Sequence, residues 1–190
     1  WNHMAIYELS EYLHSITISP ELSHKQAKKV VSRARDIYPA HDFQFLIQGN
    51  LETLVSEDCL QYVLPDKKII KNLKNTHYHL GVKDSRNRIF PVEIDQECRT
   101  HLFNSLELCL IDYLPRLLSI GLDSLIIDAR NKPADYIRNI LSIYHEALKL
   151  TVAGDPNLSD KLDSLKERVR KISNGGITTG NFIRGTKDDN

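Results

Sequence analysis

Cys98 and His101 stand three residues apart in the run Cys-Arg-Thr-His, a separation that lets a thiolate and an imidazole reach one zinc ion from a single turn. Two ligands leave a tetrahedral shell half filled, so a zinc site here needs donors from elsewhere. The same pair read as nucleophile and base would make a thiolate–imidazole centre for peptide cleavage, with His101 lowering the Cys98 pKa. Nucleophile and base normally meet from distant chain segments, however, and nothing nearby supplies a third group to orient the imidazole. A packed cysteine beside a surface histidine is the plain alternative. His77 and His79 alternate along an extended run and so share a side, a second spacing that could bind metal. Glu52, Glu57 and Asp58 offer carboxylates for acid–base hydrolysis, but no period brings them together and they read as loop surface. Cys109, in an apolar run, reads as a small buried hydrophobe, and His145, beside Glu146 on a helix, as structural or exposed.

The elements that would hold such groups follow a repeated strand-and-helix pattern. Residues 15–19, SITIS, are a β-branched run closed by Pro20. Ser23 with Gln26 three residues on is a capping box, which predicts a helix of roughly 14 residues through Ile37, ended by Pro39. Residues 43–48, FQFLIQ, suit a second strand, and Gly49-Asn50 marks a tight or left-handed turn. Strand, helix, strand is the unit of parallel sheets, in which ligand contacts gather at strand C-terminal ends. Glu21 after the first strand, and Gln48 and Asn50 after the second, are therefore ligand-binding candidates. A third strand, residues 124–128, is followed by Ala129, Arg130 and Asn131, and Pro133 then opens a helix that turns Ile137, Ile140, Leu141, Tyr144 and Leu148 inward. Arg130 joins the candidate set, because a charge at a strand end is costly to bury unless it pairs or binds something; a Glu21–Arg130 ion pair is the structural alternative.

Residues 51–58 lack a clean period and read as strand or extended loop, and residues 67–75 as a surface connection or short helix. Residues 77–83 and 89–94 flank the polar turn DSRNR, a β-hairpin in which Pro91 must face an edge. Asn104 and Ser105 read as caps of a helix over 106–120 with Leu106, Leu110, Tyr113, Leu114, Leu117 and Leu118 at helical spacing, Pro115 kinking it or starting a new turn, and Gly121 ending it. After the break at Gly154-Asp155-Pro156-Asn157, Leu158, Leu162, Leu165 and Val169 make an amphipathic helix, and the ending SNGGITTGNFIRGTKDDN reads as a poorly docked tail.

With 41% hydrophobic and 26% charged residues in 190, the chain can bury one core, and a single compact domain is the default. Its 25 basic and 25 acidic side chains give a net charge of +0, so no field of one sign draws nucleic acid or an anionic membrane; a nucleic-acid role needs a local patch. The apolar run at 106–114 is broken by Glu107 and Asp112, far short of the roughly 20 residues that span a bilayer. The start, WNHMAIYELSEYL, lacks a secretory pattern, and three widely spaced cysteines do not read as a disulfide framework. The expectation is a cytoplasmic protein with reduced thiols.

The segments SPELS through QGNLETLVSEDCL, the hairpin VKDSRNRIFPVEIDQECRTHLFNS, then LPRLLSIGLDSLIIDAR and TTGNFIRG, in this order, resemble the collagenase-like peptidases of family U-32. The resemblance implies an α/β fold, part of a modified (β/α) TIM-like barrel with an inserted β-hairpin. Residues 1–150 would be the C-terminal portion of the peptidase-like domain, truncated at its N-terminus, and 151–190 a C-terminal helix and Gly-rich tail. A partial barrel exposes sheet edges, which implies an oligomer or a rearranged remnant. The resemblance further implies a peptidase whose barrel mouth holds a peptide or small acidic ligand at Glu21, Gln48, Asn50 and Arg130. Related Cys/His motifs are linked to zinc shared between subunits, which makes a homodimer with Cys98 and His101 of each chain on one zinc, a non-catalytic binding module, the alternative. A third branch hydroxylates RNA bases or quinone precursors with a four-cysteine iron–sulfur site. Where the family signature has Glu, Cys and Gly, this chain has Gln44, Glu52 and Glu57; Gly49 and Cys59 fit, and three cysteines cannot supply four thiolates.

Overall fold

The computed structural model describes residues 3–63, 80–130, 132–173 and 175–184. Its elements in chain order are α1 (His3–Ser10), β1 (Ser15–Ile18), α2 (His24–Ile37), β2 (Asp42–Ser56), a 3-10 turn (Leu60–Val63), β3 (Leu80–Lys83), β4 (Ile89–Ile94), β5 (Thr100–Cys109), a second 3-10 turn (Ile111–Tyr113), α3 (Leu114–Leu118), β6 (Ser124–Ile127), α4 (Ala134–Ala153), α5 (Leu158–Ile172) and β7 (Ile177–Thr178). The expectations for residues 67–75 and for His77 and His79 lie outside the described residues. Two compact units emerge, the first from Trp1–Gly49, Leu108–Ser173 and Ile177–Asn190, the second from Asn50–Glu107 and Asn174–Gly176. β2 and β5 each run from one unit into the other.

The first unit is built on the strand–helix–strand pattern. Ser23 and Gln26 form the capping box in both directions, and α2 buries Ala27, Val31 and Ala34, one face at helical spacing. β1 pairs parallel with β2 from Ser15↔Asp42 to Ile18↔Phe45, and β6 pairs parallel with the other side of β2 from Gln44↔Ser124 to Gln48↔Ile127. Ile16, Ile18, Phe43, Phe45 and Ile47 alternate into the core. Arg35 on α2 stacks on Phe43, donates to the carbonyls of His41 and Gly121, and pairs with Asp123, which itself accepts the Phe43 amide. Phe43 and β6 are thus tied to one guanidinium.

Two expectations in this unit fail for identifiable reasons. α4 buries Tyr136, Ile140, Ile143, Tyr144 and Ala147 while Leu141 is exposed. The two tyrosines can go inside because their hydroxyls find hydrogen-bond partners there. The C-terminal segment also docks: Phe182 is buried, edge-on to Phe45, Tyr113 and His24, and its carbonyl accepts the His24 amide. Strand pairing of β7 with β5 adds to this aromatic anchor.

In the second unit the ladder order is β2, β5, β4, β3, with β3–β4 antiparallel from Leu80↔Val92 to Lys83↔Ile89 and β4–β5 antiparallel from Val92↔Leu102 to Ile94↔Thr100. Pro91 lies just outside the β4–β5 register, where its missing N–H costs nothing. Residues 104–109 are strand, not the start of a helix. In β5 the buried positions 103, 105, 107 and 109 alternate, and two of them are polar: Ser105, and Glu107 at 0% exposure. Those polar inward residues hide the period of two. The helix begins only at Leu114, with Pro115 in its first turn as suits a residue lacking an N–H.

The barrel expectation is overturned. A barrel closes a parallel ladder on itself, whereas here parallel pairing covers β1, β2 and β6 and the hairpin strands pair antiparallel, giving a mixed, open sheet with helices. Sequence signals for each strand-and-helix unit are local and carry no information on closure. Among the described residues no helix is long and apolar enough to cross a membrane.

Candidate functional site

His101 lies on β5 directly opposite Glu93 of β4, with its ring between two other carboxylates. Nε2 is 3.2 Å from Asp95 Oδ2, and Nδ1 is 3.5 Å from Glu52 Oε1. The Asp95 hydrogen bond, then Glu52, raise the His101 pKa above the usual imidazole value against partial desolvation. Desolvation pushes Asp95 the other way, but the Arg99 amide, the Arg99 guanidinium and His101 outweigh it and hold this carboxyl well below the usual range. Both ring nitrogens thus face carboxylates, an arrangement that favours the charged imidazolium over the neutral ring.

The loop that carries Asp95 has a twin. In 95–99, Asp95 Oδ1 accepts the amides of Glu97 and Arg99, its Oδ2 pairs with the Arg99 guanidinium, and Cys98 sits at φ 65°. In 84–88, Asp84 Oδ1 accepts the amides of Arg86 and Arg88, its Oδ2 pairs with Arg88, and Asn87 sits at φ 62°. Both loops join consecutive strands of the hairpin by the same Asp-x-x-x-Arg device.

Cys98 is joined to Cys59 by a disulfide with Cα atoms 5.2 Å apart, which corrects the expectation of three reduced thiols. Wide spacing in sequence hid the pair: the cysteines are 39 positions apart, with the hairpin strands β3 and β4 between them. Thr100 secures the other side: its hydroxyl donates to the Asp58 carbonyl at 2.6 Å and accepts the Leu60 amide at 3.0 Å, gripping the residues on either side of Cys59. Cys109 stays free and buried in the first unit, with the Tyr144 hydroxyl on its sulfur, and burial pushes its thiol up.

The strand-end candidates separate. Gln48 is fully buried, donating to the Tyr136 hydroxyl and accepting from Tyr144, so its amide is spent inside the first unit. Asn50 opens the second unit and donates to the Asn104 carbonyl at 3.1 Å. Arg130, at the carboxyl end of β6, clasps Asp128 through three side-chain hydrogen bonds, and Lys132 lies 4.9 Å over the Tyr136 ring. Desolvation raises the Asp128 pKa, but Arg130 reverses the sign and keeps it ionised. Glu21 is exposed in the turn after β1, its amide bonded to Ser19 Oγ. At Gly49 a Cβ would fall 2.5 Å from the Asp128 carbonyl oxygen, so glycine at φ 133° is what lets β2 pass this close to the end of β6.

The model of peptidase family U32 matches residues 7–190. The chain belongs to peptidase family U32. Among curated relatives it is similar to tRNA hydroxylation protein P2 of Bacillus subtilis, 31% identical over 120 residues that cover 62% of this chain and 38% of that protein. It is also similar to tRNA hydroxylation protein P of Escherichia coli, 27% identical over 128 residues covering 62% and 27%. An uncharacterized protease of Methanocaldococcus jannaschii is 33% identical over 84 residues covering 44% and 20%. This U32 chain thus spans about a fifth to two fifths of the length of these relatives. No solved structure matches it at a significant level.

The donor sets of this U32 chain can be tested against metal. Zinc on Cys98 and His101 needs a thiolate and an imidazole lone pair, whereas the sulfur is in a disulfide and both ring nitrogens face acids. Among the described residues no three His, Cys, Asp or Glu side chains converge on a metal-sized site. A four-thiolate iron–sulfur cluster does not fit three cysteines of which one is sealed against Tyr144. Sequence reasoning named His101, Glu52 and Cys59 without joining Glu52 to His101 or Cys59 to Cys98, and it missed Asp95. The repeated Asp-x-x-x-Arg spacing at 84–88 and 95–99 was the available signal.

Proposed function

We propose that this chain is part of a U32 protein of the tRNA-hydroxylation kind, in which a four-thiolate cluster would need cysteines from outside these 190 residues, and that it does not act as a thiol peptidase. The observation that carries this reading is the arrangement at Cys98 and His101. The Cys98 sulfur is bonded to Cys59, and the His101 ring faces Asp95 at 3.2 Å and Glu52 at 3.5 Å, so neither member of the pair is poised as nucleophile and base. The two relatives that cover 62% of the chain, both named for tRNA hydroxylation, support the substrate class. With a net charge of +0, contacts to RNA would be local ones, and Arg130 and Lys132 at the carboxyl end of the parallel strands, with Glu21 across the turn after β1, suit the edge of such a contact. Gln48 would position that edge from within the first unit.

The test is nucleoside mass spectrometry of bulk tRNA from a source strain with and without the gene. Loss of a hydroxylated nucleoside on deletion, restored by the gene, is the expected result. Unchanged tRNA together with gelatin cleavage by the purified full-length protein would replace this reading by the peptidase one, which the archaeal relative's name favours.

A further inference from the structure

We propose that Cys59 and Cys98 form a reversible dithiol–disulfide couple that exchanges with small-molecule thiols in the folded protein. The two positions are held without the bond between them. The Cys98 loop is built by Asp95 and Arg99, and its twin adopts the same turn through Asp84 and Arg88 with Asn87 in place of the cysteine. A left-handed conformation suits asparagine and is uncommon for cysteine, so a disulfide is not what makes this turn fold. On the other side the Thr100 hydroxyl fixes both neighbours of Cys59. Cutting the S–S bond therefore leaves the sulfurs adjacent, the condition under which reclosure is intramolecular and fast.

Accessibility points the same way. Cys59 and Cys98 are both half-buried, whereas Cys109 is buried. A reductant thiolate attacks one sulfur of the pair, forming a mixed disulfide and breaking the Cys59–Cys98 bond, and the expelled thiolate takes a proton from solvent. A second reductant thiol then attacks the mixed disulfide and releases the oxidised reductant. In total two electrons and two protons pass from two thiols to the protein, yielding two cysteine thiols and one reductant disulfide. This inference is independent of the tRNA reading, since it concerns only the second unit and is read without substrate.

The experiment is maleimide labelling of the full 190-residue chain under native conditions, read by intact mass. The oxidised chain is expected to take no label. After native dithiothreitol treatment it takes two, mapped by peptide mass to Cys59 and Cys98, with Cys109 labelled only in denaturant, and oxidised glutathione after removal of the reductant returns it to none. Cys98→Ser is expected to trap glutathione on Cys59, and Thr100→Val to slow reclosure several-fold. Reduction that succeeds only in denaturant would show a buried staple and overturn the proposal. Failure of glutathione to reclose the reduced chain would also overturn it, as would a Thr100→Val chain that recloses at the unmodified rate.

Discussion

Replacing Gly49 by alanine tests the closest approach in the first unit, between β2 and the end of β6. The new Cβ would stand 2.5 Å from the Asp128 carbonyl oxygen and 2.8 Å from the Asp128 Cβ, at a φ of +133° that L residues rarely adopt. Backbone strain of this kind costs about 1–3 kcal/mol, and overlap in a packed region about 1–3 kcal/mol more. The sum is about 2–6 kcal/mol, a large share of the roughly 5–15 kcal/mol that holds a domain together. Gly154 is the control, since it has φ +64° but nothing within 4 Å of a new Cβ, so Gly154→Ala meets only the backbone term of about 1–2 kcal/mol. Urea unfolding measures both, and with a slope of about 2 kcal/mol per molar the Gly49→Ala midpoint should fall by about 1–3 M. Equal midpoints for the two variants would mean that Asp128 does not press on Gly49, and the strand-end geometry around Arg130 would have to be redrawn.

Phe182→Ala should cost about 3–5 kcal/mol by removing the aromatic anchor between Phe45, Tyr113 and His24, whereas a loss under 1 kcal/mol would mean the C-terminal segment does not dock. Cys59→Ser should lower stability by up to about 4 kcal/mol in the chain-entropy account of a 39-residue separation, an effect that thermal unfolding with and without reductant would reproduce in the unmodified chain. The His101 contacts should depend on pH with a definite sign. Because the folded pKa is raised, their stabilisation is fully present below about pH 6.5 and is lost as pH rises through the higher folded value. The melting temperature of the unmodified chain relative to His101→Gln should therefore fall as pH rises above about 6.5, and a difference that does not vary with pH would sink the assignment.

Legibility in the sequence followed the range of the interactions. The capping box of Ser23 and Gln26, the SITIS strand, the DSRNR hairpin and the helix after Pro133 are set by neighbours within a few residues, and each is where it was expected. The FQFLIQ strand is there too, but in place of the turn expected at Gly49-Asn50 it runs on to Ser56. β5 was misread because its inward face carries Ser105 and Glu107, whose burial depends on partners far along the chain. Barrel closure was misread for the same reason, since pairing between distant strands leaves no local mark. At the candidate site, His101 and Cys98 stood out by type. Their actual partners, Glu52, Asp95 and Cys59, come from β2, the β4–β5 loop and the segment after β2, and only the doubled Asp-x-x-x-Arg spacing hinted at one of them. Gln48 shows the converse: its position at a strand end suggested a ligand contact, while the tyrosines of α4 that claim it lie 88 and 96 residues away.

The proposed function turns on whether His101 has a nitrogen free to act as a base. Long-range nitrogen–proton correlation NMR of the histidine rings at neutral pH reads this directly, with His101→Gln assigning the signal. The account predicts that His101 keeps both Nδ1 and Nε2 protonated to a higher pH than a free imidazole does. A neutral His101 ring with one bare nitrogen would contradict it and return the Cys98–His101 pair to the list of possible peptidase centres.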